Sequence, residues 1–366
     1  MRPSELPERL LLGPGPCNVS DEVRVALARP LVGHLDPAFL ALLDELQRQL
    51  LRIFRAPAGS LAVPISGTGS AGMEACLVNL IEPGASLLVA VNGVFGERMA
   101  AIGERSGARV QRVEAALGEI VPPERLVAEI EAQRPDVVAL VHAETSTGVA
   151  QPVIEVARAA RAAGALVVLD CVTSLGGMDV RMDEWQIDAA YSATQKCLAC
   201  PPGLSPLAFG PRALDRLEQR RQPVQSWYLD LSLIGRYFGE QRVYHHTAPI
   251  SMLYALHAAL ERVLEEGLEA RFARHRAAHE RLVAGLEPLG FRMLVPPQHR
   301  LPMLNTVFPP VPDEASVRRR LLEEHGIEIG GGLGKLAGLV WRIGLMGENA
   351  RPEIVDRLLA ALRSLL

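Results

Sequence analysis

Two residues of this 366-residue chain are placed to do chemistry on a carbonyl compound, Lys196 and Asp170. Only two of its 38 lysines and arginines are lysines, Lys196 and Lys335. A guanidinium stays protonated and cannot serve as a nucleophilic amine. A lysine that persists in so arginine-rich a chain therefore calls for a chemical reading beside the plain one of chance. Asp170 ends the apolar run Ala165–Asp170, and Lys196 closes Ser192-Ala193-Thr194-Gln195-Lys196, 26 residues later and just past a second strand-like run. In an open parallel sheet, ligands sit beyond the carboxyl ends of the strands. The two groups are either a simple ion pair or the two protein groups that a pyridoxal cofactor most needs. In the second case the amine condenses with the aldehyde as a Schiff base. Once displaced by an amino acid, it serves as the base that moves the Cα proton. The carboxylate, held ionised, keeps the ring nitrogen protonated so that the ring can draw in carbanion charge.

A glycine-rich segment adds an anion site. Gly67-Thr68-Gly69-Ser70-Ala71-Gly72 follows the apolar run Leu61–Ile65 and precedes the helical pattern Met73–Ile81. It fits the dinucleotide fingerprint, but that reading needs an acid about 20 residues on to hold the ribose. Asn92 stands there instead. A single phosphate is enough to explain the segment. The turn offers free backbone N–H groups at the positive end of a helix, and Thr68 and Ser70 add hydroxyls. The plain alternative is a tight turn with a capped helix.

These groups need a scaffold, and the pattern around them supplies one. Ser86–Asn92, Val137–Glu144, Ala165–Asp170, Ala189–Thr194 and Ser205–Gly210 read as short buried strands. Gly96–Gly107, Pro122–Gln133 and Val153–Gly164 read as helices between them, with glycine at or near their ends. Continuous apolar strands alternating with helices predict an α/β fold with a mostly parallel sheet covered on both faces. Residues Ser251 to about Gly290 are helical in pattern. After them the pattern predicts strands Phe291–Leu294, Asn305–Phe308, Ile327–Ile329 and Val340–Leu345, a helix Ala315–His325 and a last helix from Pro352. The expected division is an N-terminal arm (1–18), a large domain (19–266) and a small C-terminal α+β domain (267–366).

Composition narrows the function classes. Hydrophobic residues make up 49% and charged residues 22%, a globular balance with material for a core. The net charge of −4 gives no bulk attraction to nucleic acid or anionic lipid. No stretch approaches the roughly 20 apolar residues of a membrane span. The first residues lack the apolar core of a signal peptide, and five irregularly spaced cysteines do not form a disulfide framework. The expectation is a cytoplasmic protein without a metal.

At this point the chain resembles the class V aminotransferases, in particular the alanine–glyoxylate/serine–pyruvate type, a branch of the fold-type I pyridoxal-phosphate enzymes. The resemblance runs in order through LLGPGP (11–16), SGTGSAGMEA (66–75), NGVFGER (92–98), AETSTGVAQP (143–152), VVLDCVTSLGG (167–177), DAAYSATQKCLACPPGLSP (188–206), QSWYLDL (225–231), RVYHHTAP (242–249) and WRIGLMG (341–347). It implies a seven-stranded, mostly parallel sheet and pyridoxal phosphate on Lys196. It further implies that Thr68, Gly69, Ser70 and Gln195 hold the phosphate. Phe95 would stack on the ring with Val172 against the other face, and Thr145 would lie near the ring hydroxyl. Tyr244 and Thr247 would reach the phosphate of the neighbouring subunit of a homodimer, and Arg342 would grip the substrate carboxylate. Substrates would be a small amino acid, alanine or serine, with glyoxylate or pyruvate as the 2-oxo acid. The alternative is ureidoglycine–glyoxylate transamination in purine catabolism. Phe95 and Ser70 depart from several relatives, which carry Trp and His at these places, and this leaves the exact substrate open.

Other conspicuous residues have plainer readings. Cys197-x-x-Cys200 lacks the context of a redox or zinc motif and reads as small residues in a tight loop. Cys171 should point away from Asp170 into the core. His245 and His246, adjacent on an extended segment, should diverge and serve structure or an interface. His34 reads as a helix-entry or interface residue, and His142 as a hydrogen-bonding residue near the site. Lys335 reads as a solvated turn lysine and Arg318–Arg320 as a solvated helix face. A desulfurase-like lyase would need a cysteine beyond Cys200, and there is none. A scaffold with a dead site would have lost Lys196, Asp170 or Arg342.

Overall fold

The structure is a computed structural model and describes Arg2 and residues 5–366. Two helices come first, α1 (Asp21–Leu27) and α2 (Pro37–Phe54). Asp36 caps α2, its side chain accepting from the Ala38 amide at 2.8 Å, and Pro37 occupies the first turn, where its missing N–H is harmless. Phe39, Leu43, Leu46, Leu50, Ile53 and Phe54 recur at helical spacing and are buried.

Seven strands follow: β1 (Leu61–Ser66), β2 (Ser86–Val91), β3 (Arg109–Glu114), β4 (Val137–Val141), β5 (Leu166–Asp170), β6 (Ala189–Tyr191) and β7 (Leu204–Phe209). They form one sheet in the order β1-β7-β6-β5-β4-β2-β3. The pairs from β6 through β3 are parallel, and β7 runs against both its neighbours. The mostly parallel seven-stranded sheet thus matches expectation. Strands β4 and β5, Val137–Val141 and Leu166–Asp170, are buried at every residue, as strands covered on both faces must be. Strand β3 was missed in the sequence because it is an edge strand. Its Arg-Val-Gln-Arg-Val-Glu stretch buries only Val113 and carries charges. Helices α3 (Gly69–Leu80), α4 (Val94–Arg105), α5 (Pro123–Gln133) and α6 (Ile154–Ala162) cross between these strands. Helix α4 begins two residues earlier than its sequence pattern indicated. Helices α7 (Pro211–Glu218), α8 (Leu231–Phe238) and α9 (Ile250–Glu266) follow the sheet.

The chain bends at Gly267, whose φ of +82° suits glycine, and enters α10 (Leu268–Leu286). A second sheet follows, of strands β8 (Arg292–Met293), β9 (Leu304–Phe308), β10 (Gly330–Gly331) and β11 (Trp341–Gly344). Its order is β8-β9-β11-β10 and every pair is antiparallel. With α10, α11 (Glu314–His325) and α12 (Pro352–Leu365) it encloses a separate core around Leu282, Val307, Trp341, Ile343 and Leu358. The expected strand at Ile327 does not join this sheet. Ile327 and Glu328 pair in parallel with Leu10 and Leu11, and Leu10 and Leu12 belong to the second core. The N-terminal arm is therefore packed on the C-terminal layer. Among the described residues, no helix is long and apolar enough to cross a membrane.

Candidate active site

The site forms where the carboxyl ends of β5 and β6 meet the N-terminal arm and the second sheet. Asp170 is the last residue of β5, in register with Val141 of β4 and Tyr191 of β6. Its carboxylate is 2% exposed and accepts from the Val172 amide at 2.8 Å and from the Tyr191 hydroxyl at 2.7 Å. Burial disfavours the charge and pushes this carboxyl up to about 7; the two hydrogen bonds pull the other way, and the nearby Glu144 adds to the rise. The carboxylate lacks a cationic partner strong enough to keep it fully ionised. A protonated pyridine nitrogen is a group that would supply one.

Lys196 lies in the turn beyond β6. Its amine donates to the Pro14 carbonyl, so the arm closes over it. A Cβ on Gly15 would come within 2.5 Å of the amine nitrogen. Burial pushes Lys196 down to about 8, so that its neutral form, though minor at neutral pH, is far more populated than a free lysine's. The turn itself is strapped on two sides. The Cys17 amide donates to the Gln195 carbonyl at 3.2 Å. Arg271, buried on α10 and paired with Glu266 at 2.6 Å, donates to the Cys197 carbonyl at 2.8 Å and the Gly176 carbonyl at 3.0 Å. Cys197 and Cys200 are buried in this turn, and burial raises both thiols, which suits the packing role.

Gly67–Ser70 form the turn that opens α3. Thr68 precedes the helix without using its hydroxyl as a cap, and the first helical amides have no intrahelical partner. Gly69 is buried against Val172; a Cβ there would come within 2.9 Å of a Val172 methyl. Gln195 has a buried side-chain oxygen without a hydrogen-bond partner. Thr68, Gly69 and Ser70 thus offer hydroxyl and backbone donors at the open N-terminus of α3, and a phosphate fits that donor set, whereas the unpartnered Gln195 oxygen can only accept. The Asn92 position is taken by structure. Its amide donates to the Gln151 side chain at 3.1 Å, and Gln151 also receives the Val121 amide at 2.9 Å.

Phe95 sits in the first turn of α4, half-buried. Glu144, which the sequence reading did not single out as a site residue, fixes that turn. Its buried carboxylate accepts from the Phe95 amide at 3.1 Å and from the Ser146 amide and hydroxyl at 3.0 and 2.6 Å. An acid inside the apolar run VVALVHAE was the available signal. Tyr191 was a further omission, revealed by its place opposite Asp170. Thr145 is buried, and its carbonyl accepts from Arg342 Nη1 at 3.1 Å. Arg342, on β11, also donates through Nε to the Gly331 carbonyl at 2.8 Å.

Tyr244 and Thr247 are exposed, with their hydroxyls 3.4 Å apart. His245 and His246 do not diverge as their adjacency predicted. Their Nδ1 atoms are 2.7 Å apart, because His245 stacks on Trp227 at 4.4 Å while His246 turns to the Ser66 hydroxyl at 2.9 Å. His142 is buried edge-on against Trp185, and its Nδ1 has no partner. Lys335 is exposed, and Arg318 pairs with Glu314 at 2.7 Å instead of standing free in solvent.

Comparison with known proteins gives this arrangement a family. The chain matches the family described as Aminotransferase class-V over residues 25–344. It is 39% identical to an (S)-ureidoglycine–glyoxylate transaminase of Bacillus subtilis, over 98% of this chain and 91% of that one. It is 40% identical to an alanine–glyoxylate aminotransferase of Drosophila melanogaster, over 99% and 93%. Among solved structures, an alanine–glyoxylate aminotransferase from Nostoc sp. superposes with a TM-score of 0.96 at 48% identity, covering 100% of this chain and 97% of that one. The ureidoglycine–glyoxylate aminotransferase of Bacillus subtilis gives 0.97 at 41% identity, covering 100% and 94%. With its fold and sequence matched from end to end, the chain belongs to the class V aminotransferases, enzymes that transfer amino groups with pyridoxal phosphate.

Proposed function

We propose that this enzyme transfers the amino group of a small amino acid, alanine or serine, to glyoxylate or pyruvate, with its cofactor held on Lys196. The observation that carries this reading is that the Lys196 amine, closed in by Pro14, lies near enough to the buried Asp170 carboxylate and to Arg342 to feel both charges, in a fold whose α3 N-terminus is left uncapped. When bound, pyridoxal phosphate supplies an electron sink for the carbanion formed at Cα. The chain's own residues do the rest. Asp170, braced by Tyr191 and the Val172 amide, holds a proton on the ring nitrogen. Lys196, freed by the incoming amine, moves the Cα proton. Thr68, Gly69, Ser70 and Gln195 bind the phosphate, Phe95 and Val172 sandwich the ring, and Thr145 lies by its hydroxyl. Arg342, oriented by the Thr145 and Gly331 carbonyls, has its Nη2 unbonded among the described residues and grips the substrate carboxylate.

Tyr244 and Thr247, exposed on one chain, complete the phosphate site of a partner subunit, so the active form is a homodimer. We place the enzyme in the cytoplasm. We divide it into an arm (1–18), a large domain (19–266) and a small domain (267–366). The family resemblance to a ureidoglycine–glyoxylate transaminase supports a second donor, ureidoglycine, with the same acceptor. A panel of alanine, serine and ureidoglycine against glyoxylate and pyruvate decides between them. The highest kcat/KM for alanine or serine with glyoxylate or pyruvate supports the first reading. A hundredfold preference for ureidoglycine replaces it.

A further inference from the structure

The residues assigned to the phosphate, Thr68, Gly69, Ser70, Gln195, Tyr244 and Thr247, are all uncharged. A phosphate monoester carries close to two negative charges at neutral pH. A cation that bonds directly to one of these residues is Arg98, on α4. It lies three residues after Phe95 and therefore on the same helix face. Its guanidinium stacks over the Phe95 ring, 5.0 Å from the centroid, and its Nη1 donates to the Ser70 hydroxyl at 3.0 Å. The neighbouring carboxylate does not neutralise it, because Glu97 turns to Arg112 at 3.6 Å. Arg98 is exposed, always charged, and one hydrogen bond away from the phosphate donors.

Resting on the reading of this site as a pyridoxal-phosphate site, we infer that Arg98 is a phosphate-recognising residue. It supplies the positive charge that the cradle lacks and sets the preference for the phosphorylated cofactor over its unphosphorylated form. Its stacking on Phe95 holds the guanidinium at the rim, so that one side chain links the ring platform to the anion site. The cation is a second contribution beside the α3 amides, and it acts at longer range.

Equilibrium dialysis of the full-length protein tests this, with pyridoxal phosphate and pyridoxal as separate probes. Attachment to Lys196 is common to both probes, so the ratio of their dissociation constants isolates the phosphate. Arg98→Gln should weaken pyridoxal phosphate about five- to tenfold, the scale of one charge-assisted contact at an exposed site, and leave pyridoxal unchanged. Arg98→Lys, which keeps the charge, should recover part of the loss. An unchanged ratio in Arg98→Gln, whether both constants stay put or both rise together, overturns the inference. A wild-type protein that binds neither probe refutes the site reading instead, and the two failures are thereby told apart.

Discussion

Replacing Asp170 by asparagine tests the electrostatics of the site most fully. The amide oxygen can still accept from the Val172 amide, and the Tyr191 hydroxyl can rotate to accept from the new NH2 group, so the fold should survive. In the cofactor-free protein, burial raises the Asp170 carboxyl from an ordinary 3.8 to about 7. The folded state then holds the proton more tightly than the unfolded one, so wild-type stability falls as pH rises from about 4 to about 7. A gap of about three pKa units corresponds to roughly 4 kcal/mol. Asparagine cannot ionise, so cofactor-free Asp170→Asn should match wild type near pH 4 and exceed it by up to about 4 kcal/mol at pH 8. Catalysis should move the other way. Removing one partner of a buried charge pair costs about 3–5 kcal/mol, which is roughly a hundredfold or more in kcat. The assays are urea unfolding of cofactor-free protein at both pH values and single-turnover kinetics with alanine. A kcat within tenfold of wild type at full cofactor occupancy, or parallel stability profiles, would refute the reasoning.

Lys196→Ala should keep the fold and abolish turnover; measurable transamination without an added amine would remove Lys196 from the mechanism. Arg342→Lys should raise KM for amino and oxo acids by roughly tenfold or more, because lysine does not reproduce the planar fork, with cofactor affinity unchanged; an unaltered KM would dismiss Arg342 as the carboxylate anchor. Burial holds Lys196 down at about 8, so its charged form dominates below that pH. The rate of cofactor attachment, followed by absorbance, should rise about tenfold per pH unit up to about 8 and then level, whereas a flat profile from pH 6 to 9 would contradict this. Gly15→Ala would place a methyl on the Lys196 amine at a backbone φ of +99°, so stopped-flow attachment should slow sharply; an unchanged rate would show that the arm does not confine the lysine.

Much of this was legible because buried parallel strands carry a continuous apolar signal. Ala165–Asp170 announced both a strand and the acid at its end, and the Gly67–Gly72 turn announced an anion site by its glycine spacing. Edge strand Arg109–Glu114 gave no such signal, since half of it faces water. Pairing of Ile327–Glu328 with the N-terminal arm was invisible because it joins segments more than 300 residues apart. Tyr191 and Arg98 were hidden for a like reason, since their partners Asp170 and Ser70 are brought near only by the fold, whereas Glu144 left a trace as an acid inside an apolar run. Adjacent histidines 245 and 246 misled because alternation along an extended chain fails when one ring is captured by Trp227 and the other by Ser66.

The most direct measurement is chemical. The protein should be incubated with pyridoxal phosphate, reduced with borohydride, digested and mapped by mass spectrometry. The pyridoxyl label should fall on the peptide carrying Lys196 and on no other. A label on Lys335, the second lysine of the chain, or no label at all would contradict the assignment of the amine on which the rest depends.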